Sequence, residues 1–205
     1  MATLESAGSM LAIMAHPDDA ELWAGGTLAL HARVSRSSIL VATSDMKRHS
    51  EAIAGAKCLG ADVEVVEALT EINCMSAMEK CCPDILIMHR VDDVHPAHRK
   101  AAEIVLACVP EVVIATGKPK RLYMCDSYES VTLSGNVEGR TVVDVTTTFD
   151  TKLSALRSHQ SQNLLHFEAM AKRMAAFWGG RIGVPWAEAF DSVPVLGRVP
   201  GVVHL

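Results

Sequence analysis

The chain has 205 residues, 49% of them hydrophobic, with a mean hydropathy of +0.20, enough for one buried core and too short to favour two. Lys and Arg total 19 against 24 Asp and Glu, and the formal charge of -5 offers no polyanion-binding surface, so nucleic acid is not an expected partner and a small molecule is. The stretch MATLESAGSMLAIMAHPDD has no basic n-region and its apolar run is cut by His16 and Asp18, so neither a signal peptide nor a membrane span is expected.

Short apolar runs of strand length alternate with segments of helical period, the pattern of a parallel sheet covered by helices. Met10 to Ala15 reads as the first strand and Pro17 to Ser35 as the helix after it, with Leu22, Leu28, Leu30 and Val34 at roughly helical spacing. Ser37 to Asp45 is the second strand, followed by a helix from about Ser50 to the stop signal Gly60. DVEVVEAL (62–69) is the third strand, Glu71 to Cys82 a helix, Asp84 to Arg90 the fourth strand and Pro96 to Val109 a helix ending at Pro110. RLYMCDSY and RTVVDVT follow as strands, then 149–177 as one long helix or a helix pair ended by Gly179 and Gly180. The tail from about 191 to 205 reads as extended chain that covers the surface or makes a subunit contact in a homo-oligomer. The expected fold is α/β, Rossmann-like, three layers with a mainly parallel sheet, in one domain over 1–205, with the active site at the carboxyl ends of the strands.

Two strand-to-helix corners share a design. His16-Pro17-Asp18-Asp19 follows the first strand, and His95-Pro96-Ala97-His98 follows the fourth after a short loop. Proline is tolerated at the first helical position, and a spacing of three at a helix start lets both side chains face one side. His16, Asp19, His95 and His98 can thus surround one point, with Asp18 toward the water side, a nitrogen and oxygen donor set that zinc accepts. Each corner alone reads equally well as a helix start, with an aspartate beside the positive end of the helix dipole. Both corners in one βαβ series favour the metal. His31 and His166 read as helix positions, His89 as strand interior and His204 as tail, all packed or solvated rather than ligating. His159 reads as a residue that caps or packs a helix, with the site as its alternative. Six cysteines without CxxC spacing, the Cys81-Cys82 pair included, and ten methionines read as core filling in a reducing cytosol. Gly25-Gly26 lies too late after the strand for a dinucleotide fingerprint, so a nucleotide-binding module is a weak competitor.

AHPDDAELWAGGTLA resembles the signature of the LmbE-like or PIG-L family of zinc-dependent N-acetylglucosaminyl deacetylases. RHSEAIAGAKCLGAD, VDDVHPAHRKA, FDTKLSALRSHQSQ and GVPWAEAF resemble the later motifs of that family, in the same order. The resemblance implies His16, Asp19 and His98 as ligands of Zn2+, or of Fe2+ or another divalent ion. It implies Asp18 as the general base and His95 as the residue that stabilises the tetrahedral intermediate. The implied reaction removes an N-acetyl group from an amino sugar, glycoconjugate or natural-product intermediate in the cytoplasm. Three departures stand out. Ala97 replaces the usual aspartate, leaving a supporting carboxylate absent or supplied by Asp92 or Asp93. Trp23 replaces a small residue and either narrows a pocket or packs. The loop after the second strand is shortened to TSDMKRHS, where Arg48 meets the substrate or serves as a structural arginine. A non-sugar N-acyl substrate, or a metal-binding homologue that has lost catalysis, are the alternatives these departures raise.

Overall fold

The run Met10–Ile13 (β1) is buried on both faces, Leu11 and Ile13 toward one core, Met10 and Ala12 toward the other, which places it mid-sheet. A computed structural model describes residues 8–198. After β1 come α1 (Asp19–Ala32), β2 (Ser37–Ala42), α2 (Met46–Leu59), β3 (Asp62–Val66), α3 (Glu71–Cys81), β4 (Ile85–Met88) and α4 (Pro96–Thr116). Then follow β5 (Arg121–Cys125), a tight turn at Tyr128–Ser130, the hairpin of β6 (Val131–Thr132) and β7 (Gly135–Asn136), β8 (Thr141–Asp144), α5 (Phe149–Leu156), α6 (Leu164–Ile182) and β9 (Ala187–Val193). The main sheet has seven strands in the order β3-β2-β1-β4-β5-β9-β8, parallel through β5 and antiparallel at the β5–β9 and β8–β9 pairings. Helices α1, α2, α5 and α6 contribute to the core on one face, α3 and α4 to the core on the other, which is the expected three-layer α/β architecture.

Several boundaries differ from those expected, each for a local reason. Helix α1 begins at Asp19, because Pro17 sits in a turn closed by the Asp19 N–H on the His16 carbonyl. Strand β2 stops at Ala42, and α2 starts at Met46 rather than near Ser50, since the Asp45 carboxylate accepts from the N–H groups of Lys47 (2.7 Å) and Arg48 (3.2 Å) as an N-cap. Helix α4 runs through Pro110, which lies on its exposed side, because Val105, Val109, Val112 and Val113 stay buried along the other. The segment expected as one helix or a pair is a pair, and α6 continues past Gly179-Gly180 to Gly183, whose φ of 75° ends it. Strand β9, not anticipated, takes Asp191–Val193 out of the supposed tail; residues 199–205 with His204 lie outside the described residues.

Gly25 and Gly26, which disfavour a helix interior by about 1 kcal/mol each, are explained by close approach. A Cβ at Gly26 would lie 2.6 Å from that of Val145, and one at Gly25 3.1 Å from Lys152 Cγ. Through this gap the Glu188 carboxylate on β9 accepts from the N–H groups of Gly26 (2.9 Å) and Thr27 (2.8 Å), and Lys152 Nζ donates to it at 2.6 Å. Lys152 and Glu188, from two of the motifs quoted above, thus form a buried ion pair that pins α5 and β9 to α1. Removing one partner of such a pair strands the other charge. Lys152→Met is expected to cost about 3–5 kcal/mol of stability in urea unfolding, with part recovered when Glu188→Gln is added; a loss under about 1 kcal/mol would show that water reaches the pair.

Candidate metal centre

In the β1–β4 pairing Ile13 lies opposite Met88, so the chain leaves both strands side by side at their carboxyl ends. This is also where the strand order reverses, β1 having β2 on one side and β4 on the other, the position where open α/β sheets bind ligands. The two corners meet there. Donor atoms of His16, Asp19 and His98 all lie within 4.8 Å of one another. The His95 ring is 5.1 Å from that of His16 and 4.6 Å from that of His98, centroid to centroid.

Asp19 is the hub of the group. Its Oδ2 accepts from the backbone N–H of His16 at 2.7 Å and faces His16 Nδ1 at 3.0 Å and His89 Nε2 at 3.1 Å. Its Oδ1 accepts from Trp23 Nε1 at 3.2 Å and faces His98 Nε2 at 3.3 Å. Burial pushes this carboxyl up, but the surrounding histidines, His89 foremost, hold it well below the usual carboxylate range. His98 stands between two carboxylates, its Nδ1 3.1 Å from Asp93 Oδ2. Burial opposes its protonation, yet Asp19 and Asp93 together push its pKa up to about 9. Neither ring nitrogen of His98 has a hydrogen-bond partner despite full burial, so Nε2 is an orphaned donor atom aimed at Asp19. Two imidazoles and a carboxylate, with His98 Nε2 buried and unsatisfied beside Asp19, fit a zinc or ferrous ion.

The remaining groups flank this trio. Asp18 is buried rather than turned to water, because Arg48 of α2 reaches across and donates from Nη2 to its Oδ1 at 2.5 Å. Burial and the neighbouring Asp19 charge push the Asp18 carboxyl up, against the pull of Arg48 and His159. His95 caps α4, its Nδ1 accepting from the Ala97 N–H at 3.2 Å, which leaves the ring proton on Nε2 in the neutral tautomer. Burial, with His98 and His16 near it, lowers its pKa, so this tautomer prevails at neutrality. Of the two candidate supporting carboxylates, Asp93 is the one behind the histidines, with Oδ1 on the His95 N–H at 2.7 Å and Oδ2 against His98. Asp92 turns instead to Arg90 (3.1 Å) and Thr132 (3.0 Å), and Arg90 donates to Asp191 of β9 at 2.7 Å, bracing the loop that carries His95.

Two residues of this neighbourhood, His89 and Tyr128, were not anticipated in these positions, whereas Trp23 packs, one of its two expected roles. His89 lies just past β4, fully buried, stacked on His98 at 3.8 Å and within reach of Asp19, rather than inside a strand. Tyr128 lies beyond β5, which ends at Cys125, and its ring packs 5.9 Å from His98 and 5.0 Å from Trp23. Residues after it, Glu129 and Ser130, adopt φ of 51° and 57°, an unfavourable conformation that turns the chain sharply there. Trp23 is buried beside Asp19. The available signal for His89 and Tyr128 was position alone, since polar residues just past parallel strands face the ligand end. His159 is buried and lies 3.4 Å from the Glu21 carboxylate on α1, next to Gly55, where a Cβ would approach Glu21 Oε1 to 2.3 Å. Cys81 and Cys82 stand at the far end of α3, away from the centre.

No protein-family model matches the chain. Among solved structures it is similar to the conserved protein TT1542 from Thermus thermophilus, with a TM-score of 0.79 at 23% identity over 96% of each chain. It is also similar to N,N'-diacetylchitobiose deacetylase from Pyrococcus horikoshii, with a TM-score of 0.75 at 20% identity over 93% of this chain and 85% of that one. The chain has the fold of these proteins. Teicoplanin deacetylase Orf2 shares that fold at a TM-score of 0.72 and 15% identity, over 90% of this chain and 97% of that chain.

A proton on His98 must leave before its nitrogen can bind a metal. With its pKa raised from about 6.5 to about 9, protonated His98 contributes stability to the metal-free chain fully below pH 6.5, and this is lost as pH rises through 9. Calorimetric titration of Zn2+ into the metal-free protein at pH 7.5, in buffers of different ionisation enthalpy, is expected to show release of about one proton or more per ion; no release would mean that His98 is already neutral.

Proposed function

We propose that this chain is a metal-dependent N-deacetylase, releasing acetate and a free amine from an amino sugar, a glycoconjugate or a natural-product intermediate. The observation that carries the reading is the gathering of His16, Asp19 and His98 donor atoms within 4.8 Å, with buried Asp18 adjacent to Asp19 in the chain and the His95 ring 4.6 Å from that of His98. Deacetylases of the same fold support it, one for N,N'-diacetylchitobiose, one for the A40926 pseudoaglycone and one for teicoplanin. The trio would hold Zn2+ or Fe2+, which supplies, when bound, a water acidified to about pKa 7 and a Lewis-acid contact for the acyl oxygen.

This chain's own residues do the rest. Asp18, its pKa raised by burial, accepts the proton of the attacking water and delivers it to the departing amine nitrogen. His95 donates its Nε2–H to the oxyanion that develops on the acyl carbon, a contact whose loss costs about 10²–10³ in rate. Asp93 keeps the His95 loop and the His98 ring in place, which supports an active enzyme in spite of Ala97. Arg48, still part exposed beside Asp18, is the cation that faces the substrate. A second reading, a non-sugar N-acyl substrate, is favoured by exposed apolar residues near the centre. Val91 and Val94 lie on the His95 loop, and Leu133 on the hairpin docked against it through the Asp92 carbonyl. The charge of -5 favours a small-molecule partner over nucleic acid, and no helix among the described residues is long and apolar enough to cross a membrane. Six cysteines without a disulfide suit the cytoplasm.

Acetate release from a panel of N-acetylated sugars, glycosides and non-sugar amines tests the reading. The metal-loaded wild type is expected to turn over at least one of them, and chelation to abolish it. Asp18→Asn should lower kcat by about 10²–10⁴ while retaining bound metal; equal turnover by this variant and the wild type would remove Asp18 from the chemistry.

A further inference from the structure

We infer that Trp23 is a positioning residue for the metal-binding carboxylate: its indole N–H holds Asp19 Oδ1, and its ring packs beside His98 and Tyr128. The inference rests on the metal-holding role proposed for Asp19. Asp19 and Trp23 are four residues apart on α1, so both project from one face of the helix. The Nε1 to Oδ1 distance is 3.2 Å, and Trp23 is only 2% exposed, so water does not compete for the donor. The two oxygens of Asp19 are held unequally. Oδ2 has the His16 N–H, with His16 Nδ1 and His89 Nε2 close by, whereas Oδ1 has Trp23 as its hydrogen-bond donor. His98 Nε2 lies 3.3 Å from Oδ1 without hydrogen-bond alignment. Without the indole, Oδ1 loses its hydrogen-bond donor, and the tilt of the carboxylate about its Cβ–Cγ bond is set from the Oδ2 side alone.

The ring adds a second constraint. It meets Tyr128 edge-on at 5.0 Å and 78°, and His98 at 6.2 Å and 80°, so one side chain touches a carboxylate donor, an imidazole donor and the aromatic wall behind it. Partners that orient metal-binding side chains commonly change metal affinity about 10- to 100-fold when removed.

Zinc affinity of the metal-free protein, measured by competition with a chromophoric chelator, and the visible spectrum of the Co2+ form are the readouts. Trp23→Phe keeps a ring and loses the N–H. A second variant carries 3-benzothienylalanine at position 23, which replaces the N–H by sulfur in a ring of nearly the same shape and tests the hydrogen bond even where the Phe variant folds poorly. Zinc binding about tenfold or more weaker in the benzothienyl variant, with a shifted Co2+ spectrum, is the expected result. Wild-type affinity in the benzothienyl variant overturns the inference, whatever the Phe variant does, since packing would then be the whole role. A wild type that binds neither zinc nor iron overturns the metal reading itself, whereas deacetylation failing on every substrate leaves the Trp23 result standing.

Discussion

A carboxylate buried among imidazoles organises the top of the sheet. Asp19 is 3% exposed, and its charge is faced by groups from three separate parts of the chain: the β1–α1 corner, the end of β4 and the start of α4. Bringing a negative charge out of water costs several kcal/mol unless donors surround it. The parallel register of β1 and β4 is what makes them available, because it delivers His16 and His89 to the same carboxylate from adjacent strands. His98 is then drawn in from α4, and Asp93 closes the set behind it.

The order of strands and helices through α4 could be read from the sequence because parallel strands buried on both faces appear as unbroken apolar runs. The two corners were legible for a related reason. Histidine, proline and aspartate at the end of such a run have no packing explanation that accounts for both copies. Strand β9 was hidden by its own chemistry. AEAFDSV alternates alanine with acids, and Glu188 and Asp191 belong to the interior only because Lys152, the α1 backbone and Arg90 meet them there. Pro110 concealed the second half of α4 by the same logic, as burial of one face outweighed a local penalty.

Contacts between distant elements explain the rest. Asp93 and Asp92 are adjacent and chemically identical, yet one supports two histidines while its neighbour holds a hairpin. Tyr128 belongs to the centre because a turn with two left-handed residues follows it, and no preference of Glu129 or Ser130 announces that conformation. Arg48 looked like a choice between substrate contact and scaffold. Its guanidinium lies on Asp18, a contact within the protein, while Glu51 of the same motif takes the N–H and hydroxyl of Ser161.

The slot that β9 occupies has a consequence for the order in which the molecule can be completed. Strands β5 and β8 follow one another along the chain among the strands of the main sheet, but are held apart in it by β9, which arrives later than either. Glu188, on that late strand, satisfies N–H groups of Gly26 and Thr27 across 162 and 161 residues of sequence. Closing so long a loop is slow. During synthesis on a ribosome, the bond from the middle of α1 to Glu188 therefore forms only after residue 188 has emerged, so the helix whose head carries the metal-binding corner receives its pin from β9 late.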